Sequence, residues 1–98
     1  MKVKWTKEAR KQLKEILRFY IKRNQSVNYG IRLKHGVYEL VKHFQKNPCY
    51  GEQIGDDENI RRVSFGHFVI IYETRPNAIE IFSFRDGRRI EESCEELE

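Results

Sequence analysis

Residues 60–89 read IRRVSFGHFVIIYETRPNAIEIFSFRDGRR, and this stretch decides the fold. IRRVSF alternates, with Val63 and Phe65 on one face and Arg62 and Ser64 on the other, the period of a half-buried strand. Gly66 marks a turn. HFVIIYE is apolar on both faces, which predicts a central, covered strand. ETRPNA supplies the next turn through Pro76-Asn77, and AIEIFSF is the last strand before RDGRR. Three strands joined by short turns form an antiparallel meander.

Upstream the period changes. VKW at 3–5 is a short strand stopped by Thr6, a good N-cap, and Glu8 suits the positive first turn of a helix. Ala9, Leu13, Ile16, Leu17, Tyr20 and Ile21 form an amphipathic stripe that ends at Asn24-Gln25. Ser26 caps a second helix, whose apolar face is predicted to hold Ile31, Leu33, Val37, Leu40, Val41 and Phe44 until Asn47-Pro48 stops it. Gly30 and Gly36 inside this helix point to close helix packing. CYGEQIGDDEN at 49–59 reads as a loop. The expected order is β-α-α-β-β-β, an α+β fold with a helical hairpin on one face of a mainly antiparallel sheet.

Ninety-eight residues fit one domain, 1–98, too small to enclose a deep small-molecule site. Residues 1–50 carry 13 Lys/Arg against 3 Asp/Glu, while GEQIGDDE (51–58) and the acidic tail EESCEELE (91–98) hold much of the negative charge. A basic body with an acidic tail points to an anionic partner, nucleic acid or acidic protein, or to a solvated lysine-rich surface. The tail is a candidate for disorder, and Leu97-Glu98 also fits a cloning scar. Cys49 and Cys94 show no CxxC spacing; free thiols in a reducing cytosol are favoured over one disulfide. His35, His43 and His67 lack zinc spacing, so neither metal nor cofactor is expected. No apolar run of membrane length and no signal-peptide core occur, which leads to the expectation of a cytoplasmic protein.

From Ile60 onward every basic residue is arginine. Arg61 and Arg62 open one strand, Arg75 lies in a turn, and Arg85, Arg88 and Arg89 follow the last strand. Meander geometry places Arg75 near Arg61 and Arg62, and Arg85–Arg89 near the Phe65-Gly66 turn and His67, unless twist and long side chains draw Arg62 toward the second group. Guanidinium suits phosphate because it offers a planar fork of donors and keeps its charge. RNA cleavage would need an acid and a base besides. His67 is the one candidate in the strand region, being of the residue type that titrates near neutrality. Tyr72 reads as a core aromatic, and Glu73 and Glu80 as partners for arginine. No phosphate-binding glycine loop, nucleophile elbow or RNA-recognition signature is present.

Taken together, VKWTKEARKQLKEILRFYIKRN (3–24), LVKHFQKNPCYG (40–51), IRRVSFGHFVIIYE (60–73) and AIEIFSFRDGRR (78–89) resemble the RelE/ParE superfamily of bacterial type II toxins over nearly the whole chain. The resemblance implies a helical hairpin on a curved sheet and a cognate antitoxin as partner. It also implies one of two actions. ParE-like members poison DNA gyrase; RelE-like members cut mRNA on the ribosome with basic sheet residues and a tyrosine or histidine near the C-terminus. IRRVSFGHFVIIYE looks closer to the ParE side, lacking the lysine-rich second strand and the terminal tyrosine of the nucleases. Gyrase binding therefore leads, with Arg61, Arg62, Arg75, Arg85, Arg88 and Arg89 as target contacts. The alternative is a ribosome-dependent endoribonuclease using Arg62, His67, Arg88 and Arg89. A third reading is an inactive toxin-like protein serving only in autoregulation with its antitoxin.

Overall fold

The structure, a computed structural model, describes residues 2–87. Strand β1 (Lys2–Trp5) leads into helices α1 (Lys7–Asn24) and α2 (Val27–Lys46), followed by strands β2 (Glu52–Ile54), β3 (Asp57–Phe65), β4 (Phe68–Arg75) and β5 (Ala78–Asp86). The sheet order is β1-β5-β4-β3-β2. Only β1 and β5 run parallel; the other neighbours are antiparallel. This is the expected α+β arrangement with one strand more. The 49–59 segment, read as a loop, instead contains β2 and the start of β3, paired through Glu52↔Arg62 and Gln53↔Arg61. Its strand gave no sequence signal because all three β2 residues are exposed, so no alternation marks it.

Both helix starts follow from their caps. The Thr6 hydroxyl accepts from the Ala9 N–H at 3.1 Å, and the Ser26 hydroxyl from the Tyr29 N–H at 3.3 Å. α1 ends at Gln25, whose left-handed backbone (φ 50°) turns the chain into α2. The close packing expected of the glycines is present. A Cβ on Gly30 would lie 2.5 Å from the Ile21 side chain, and one on Gly36 would lie 2.6 Å from the Phe65 ring. The buried stripe of α2 is Gly30, Leu33, Val37, Val41 and Phe44. Ile31 is not part of it. One position beyond Gly30, it is rotated about 100° to solvent at 3.6 residues per turn and is 61 % exposed.

The core lies between the hairpin and one sheet face: Phe68, Ile70 and Tyr72 of β4 face Phe84, Ile79 and Ile81 of β5 and the stripes of both helices. β4 is central, as expected, but its two faces are unequal. Val69 and Ile71 point to the side without helices and are only half-buried. Two turns need backbone that glycine adopts freely: Gly66 (φ 61°) opens the two-residue β3–β4 turn, and Gly55 (φ 67°) sits between β2 and β3.

Tyr72 ties the sheet to the α2–β2 connection. Its ring stacks on Phe44 with centroids 4.5 Å apart. Its hydroxyl accepts from the Gly51 N–H and donates to the Pro48 carbonyl, both at 2.8 Å. Tyr72→Phe removes both bonds and should cost about 1–3 kcal/mol, because it leaves the buried Gly51 N–H without its acceptor. Burial also pushes the Tyr72 phenol above the ordinary tyrosine value. The folded state therefore holds this proton more tightly than the unfolded chain, whose tyrosines titrate near pH ~10. The contribution is complete below that pH and is lost as pH rises through the higher folded value. Urea midpoints measured from pH 8 to 11 should fall more steeply at the alkaline end for the parent than for Tyr72→Phe.

Candidate functional site

The helix-free face of the sheet carries a shallow groove of about 610 Å³. Strand register explains its lining. Arg62 sits opposite Ile71, which faces Ser83, and Val69 sits opposite Arg85, so these five side chains share one face. A β-bulge inserts Phe82 between the Tyr72↔Ile81 and Ile71↔Ser83 pairs. The bulge restores Phe84 and Asp86 to the core face and leaves Phe82 in the groove wall. α1 closes one end with Glu8 and Gln12, and the Gln12 side-chain oxygen accepts from the Phe84 N–H at 2.8 Å. The result is an apolar floor of Val69, Ile71 and Phe82 with guanidinium groups of Arg62 and Arg85 at its margin.

The arginines of the sheet divide by environment. Arg61 points to the helix side and donates to the Gly51 carbonyl at 2.8 Å, bracing the same connection as Tyr72. Arg75 lies between two carboxylates, Glu73 and Glu80, each at 3.2 Å, the pairing expected of those glutamates. Arg62 meets Glu52 at 3.3 Å, with both side chains at least half exposed. Such a surface pair is worth about 0–1 kcal/mol, so Arg62 can leave it for a better anion. Among the described residues no carboxylate pairs with Arg85, which is exposed. Arg62 thus joins Arg85 in the groove, while Arg75 is held apart by its glutamates. Arg88 and Arg89 lie outside the described residues, as do Cys94 and the acidic tail; Cys49 is exposed.

A family model described as the ParE toxin of a type II toxin–antitoxin system, parDE, matches residues 3–91. The chain belongs to the ParE toxin family. Among solved structures, "Chromosomal ParDE TA system from P. aeruginosa" superposes with a TM-score of 0.72 at 19 % identity, covering 88 % of this chain and 95 % of that one. At that identity the likeness is one of fold. No curated protein matches. The expected superfamily, and the ParE side of it, are both supported.

In this ParE-family chain His67 turns away from the groove. Its Nε2 lies 3.1 Å from the Tyr20 hydroxyl and 3.9 Å from Asp86. The Tyr20 hydroxyl donates to the Asp86 carboxylate, so toward His67 it can only accept, which assigns a hydrogen to Nε2. Tyr20 and Asp86 are buried, and His67 keeps 30 % of its side chain exposed. The described structure therefore brings Arg62 and Arg85 together and sets His67 in a separate polar cluster on the helix side. In the sequence Tyr20 is one stripe residue among six and Asp86 falls in RDGRR, beyond the expected end of the last strand, whereas β5 runs on through Arg85 to Asp86. Only the meeting of Tyr20 and Asp86 across 66 positions gives them this role. Among the described residues no His, Cys, Asp and Glu cluster could hold a metal, and no helix is long and apolar enough to cross a membrane.

Proposed function

We propose that this chain is the growth-inhibiting member of a toxin–antitoxin pair, acting in the cytoplasm as one domain by binding DNA gyrase and neutralised by a cognate antitoxin. The observation that carries the reading is the groove itself. Val69, Ile71 and Phe82 offer apolar contact area, and Arg62 and Arg85 offer charge-assisted donors at the rim, the combination that makes anchors in protein interfaces. A nuclease reading would give the acid or base role to His67 beside the phosphate-holding arginines. Instead, His67 is engaged with Tyr20 and Asp86, which supports binding over cleavage.

Induction of the chain alone in bacteria, followed in parallel by mapping of mRNA 5′ ends and of gyrase-dependent DNA breaks, tests the reading. Intact transcripts with trapped gyrase–DNA breaks are expected. Ribosome-dependent cleavage that vanishes in the Arg62→Ala/His67→Ala variant would transfer the assignment to the endoribonuclease. Unimpaired growth would leave only the autoregulatory role.

A further inference from the structure

We propose that the exposed face of α1 is a docking surface for the phosphate backbone of duplex DNA, separate from the sheet groove. α1 exposes seven cations, Lys7, Arg10, Lys11, Lys14, Arg18, Lys22 and Arg23, against the two carboxylates Glu8 and Glu15. None of these cations is in an ion pair among the described residues, whereas Lys42, Arg62 and Arg75 each meet a carboxylate.

A face selected only for solubility would look different. Helices favour acidic residues in the first turn and basic ones in the last, and opposite charges four residues apart. α1 follows the first rule, with Glu8 in its first turn and Lys22 and Arg23 in its last. Against one opposite pair at the four-residue spacing, Lys11/Glu15, however, it sets four like pairs: Lys7/Lys11, Arg10/Lys14, Lys14/Arg18 and Arg18/Lys22. Each such like pair destabilises the isolated helix, a cost that an external polyanion would reverse. In α2, by contrast, Glu39 sits between His35 and Lys42.

The geometry selects the polyanion. Lys7, Lys11, Lys14, Arg18 and Lys22 run along one side of the helix over roughly 22 Å, at about 1.5 Å of rise per residue. One strand of B-DNA carries a phosphate about every 3.4 Å of axis, so roughly six phosphates face such a line. A protein partner would need apolar anchors among the charges; Trp5, Leu13, Leu17 and Tyr38 offer them only beside Arg10 and Lys14, while Lys7, Lys11 and Arg18 line a hollow with no apolar side chain. Single strands call for aromatic platforms, and Phe19, the exposed aromatic of α1, is packed edge-on against Tyr20. The choice of DNA over duplex RNA rests on the gyrase reading above, since that target works on DNA.

The test is fluorescence anisotropy of the full chain with a labelled 20-base-pair DNA duplex, the matching RNA duplex and the single strand, between 50 and 200 mM KCl. DNA duplex binding should fall with salt at a log–log slope of about −4, as for four or five neutralised phosphates. Lys7→Ala/Lys11→Ala/Lys14→Ala/Arg18→Ala should weaken it at least tenfold and flatten the slope toward −1, with an unchanged circular-dichroism spectrum. Absence of duplex binding at 50 mM, an unchanged slope in the variant, or tighter binding to RNA or single strands overturns the proposal. Gyrase inhibition without duplex binding overturns it alone. Stripe-dependent duplex binding in a chain that leaves gyrase untouched supports the surface and overturns the target.

Discussion

Arg62→Ala combined with Arg85→Ala should lower gyrase inhibition about a hundredfold while moving the melting temperature by only a few degrees. Interface anchors of this type lose ~2 kcal/mol or more on truncation, and tenfold in affinity follows each 1.4 kcal/mol. Non-additivity between two neighbouring anchors keeps the joint effect nearer two decades than three. The stability side is small because the Arg62–Glu52 pair is exposed and worth at most about 1 kcal/mol. Arg75→Ala is the contrast. Its guanidinium is already shared by Glu73 and Glu80, so inhibition should stay within about threefold of the parent.

Phe44→Ala is expected to be the most damaging single change. Phe44 is fully buried and stacks face to face on Tyr72, at 6° between ring planes. Truncating such a ring typically costs about 3–5 kcal/mol through lost transfer energy and the cavity left behind. Small domains hold only about 5–15 kcal/mol in total and lose roughly 4–8 °C per kcal/mol. A drop on the order of 20 °C is therefore expected in differential scanning calorimetry. Val27→Ala, at a 64 % exposed position of the same helix, should change stability by no more than ~0.5 kcal/mol.

What could be read from the sequence was local. Thr6 and Ser26 act within three residues of themselves, and the alternation of IRRVSF correctly set Arg62 opposite in direction to Val63. What escaped was set by distant partners. Gln12 finds the Phe84 N–H across 72 positions, and Tyr20 finds Asp86 across 66. The bulge falls at the adjacent apolar pair Ile81-Phe82, which breaks the alternation of AIEIFSF without saying which of the two leaves the core face. Arg61 and Arg62 both qualify as target contacts by residue type, yet the pleat sends one to the Gly51 carbonyl and the other to the open face. Ile31 fitted an apolar stripe by hydrophobicity alone, and the helix phase fixed by Gly30 and Leu33 left it in solvent.

The most direct test of the central claim uses purified components: plasmid supercoiling by gyrase in the presence of the chain, with and without Arg62→Ala/Arg85→Ala. The account predicts that the parent blocks supercoiling and accumulates cleaved plasmid, and that the double variant, folded to the same melting profile, does neither at equal concentration. Full gyrase activity in the presence of the parent chain, together with cutting of ribosome-bound mRNA, would contradict it.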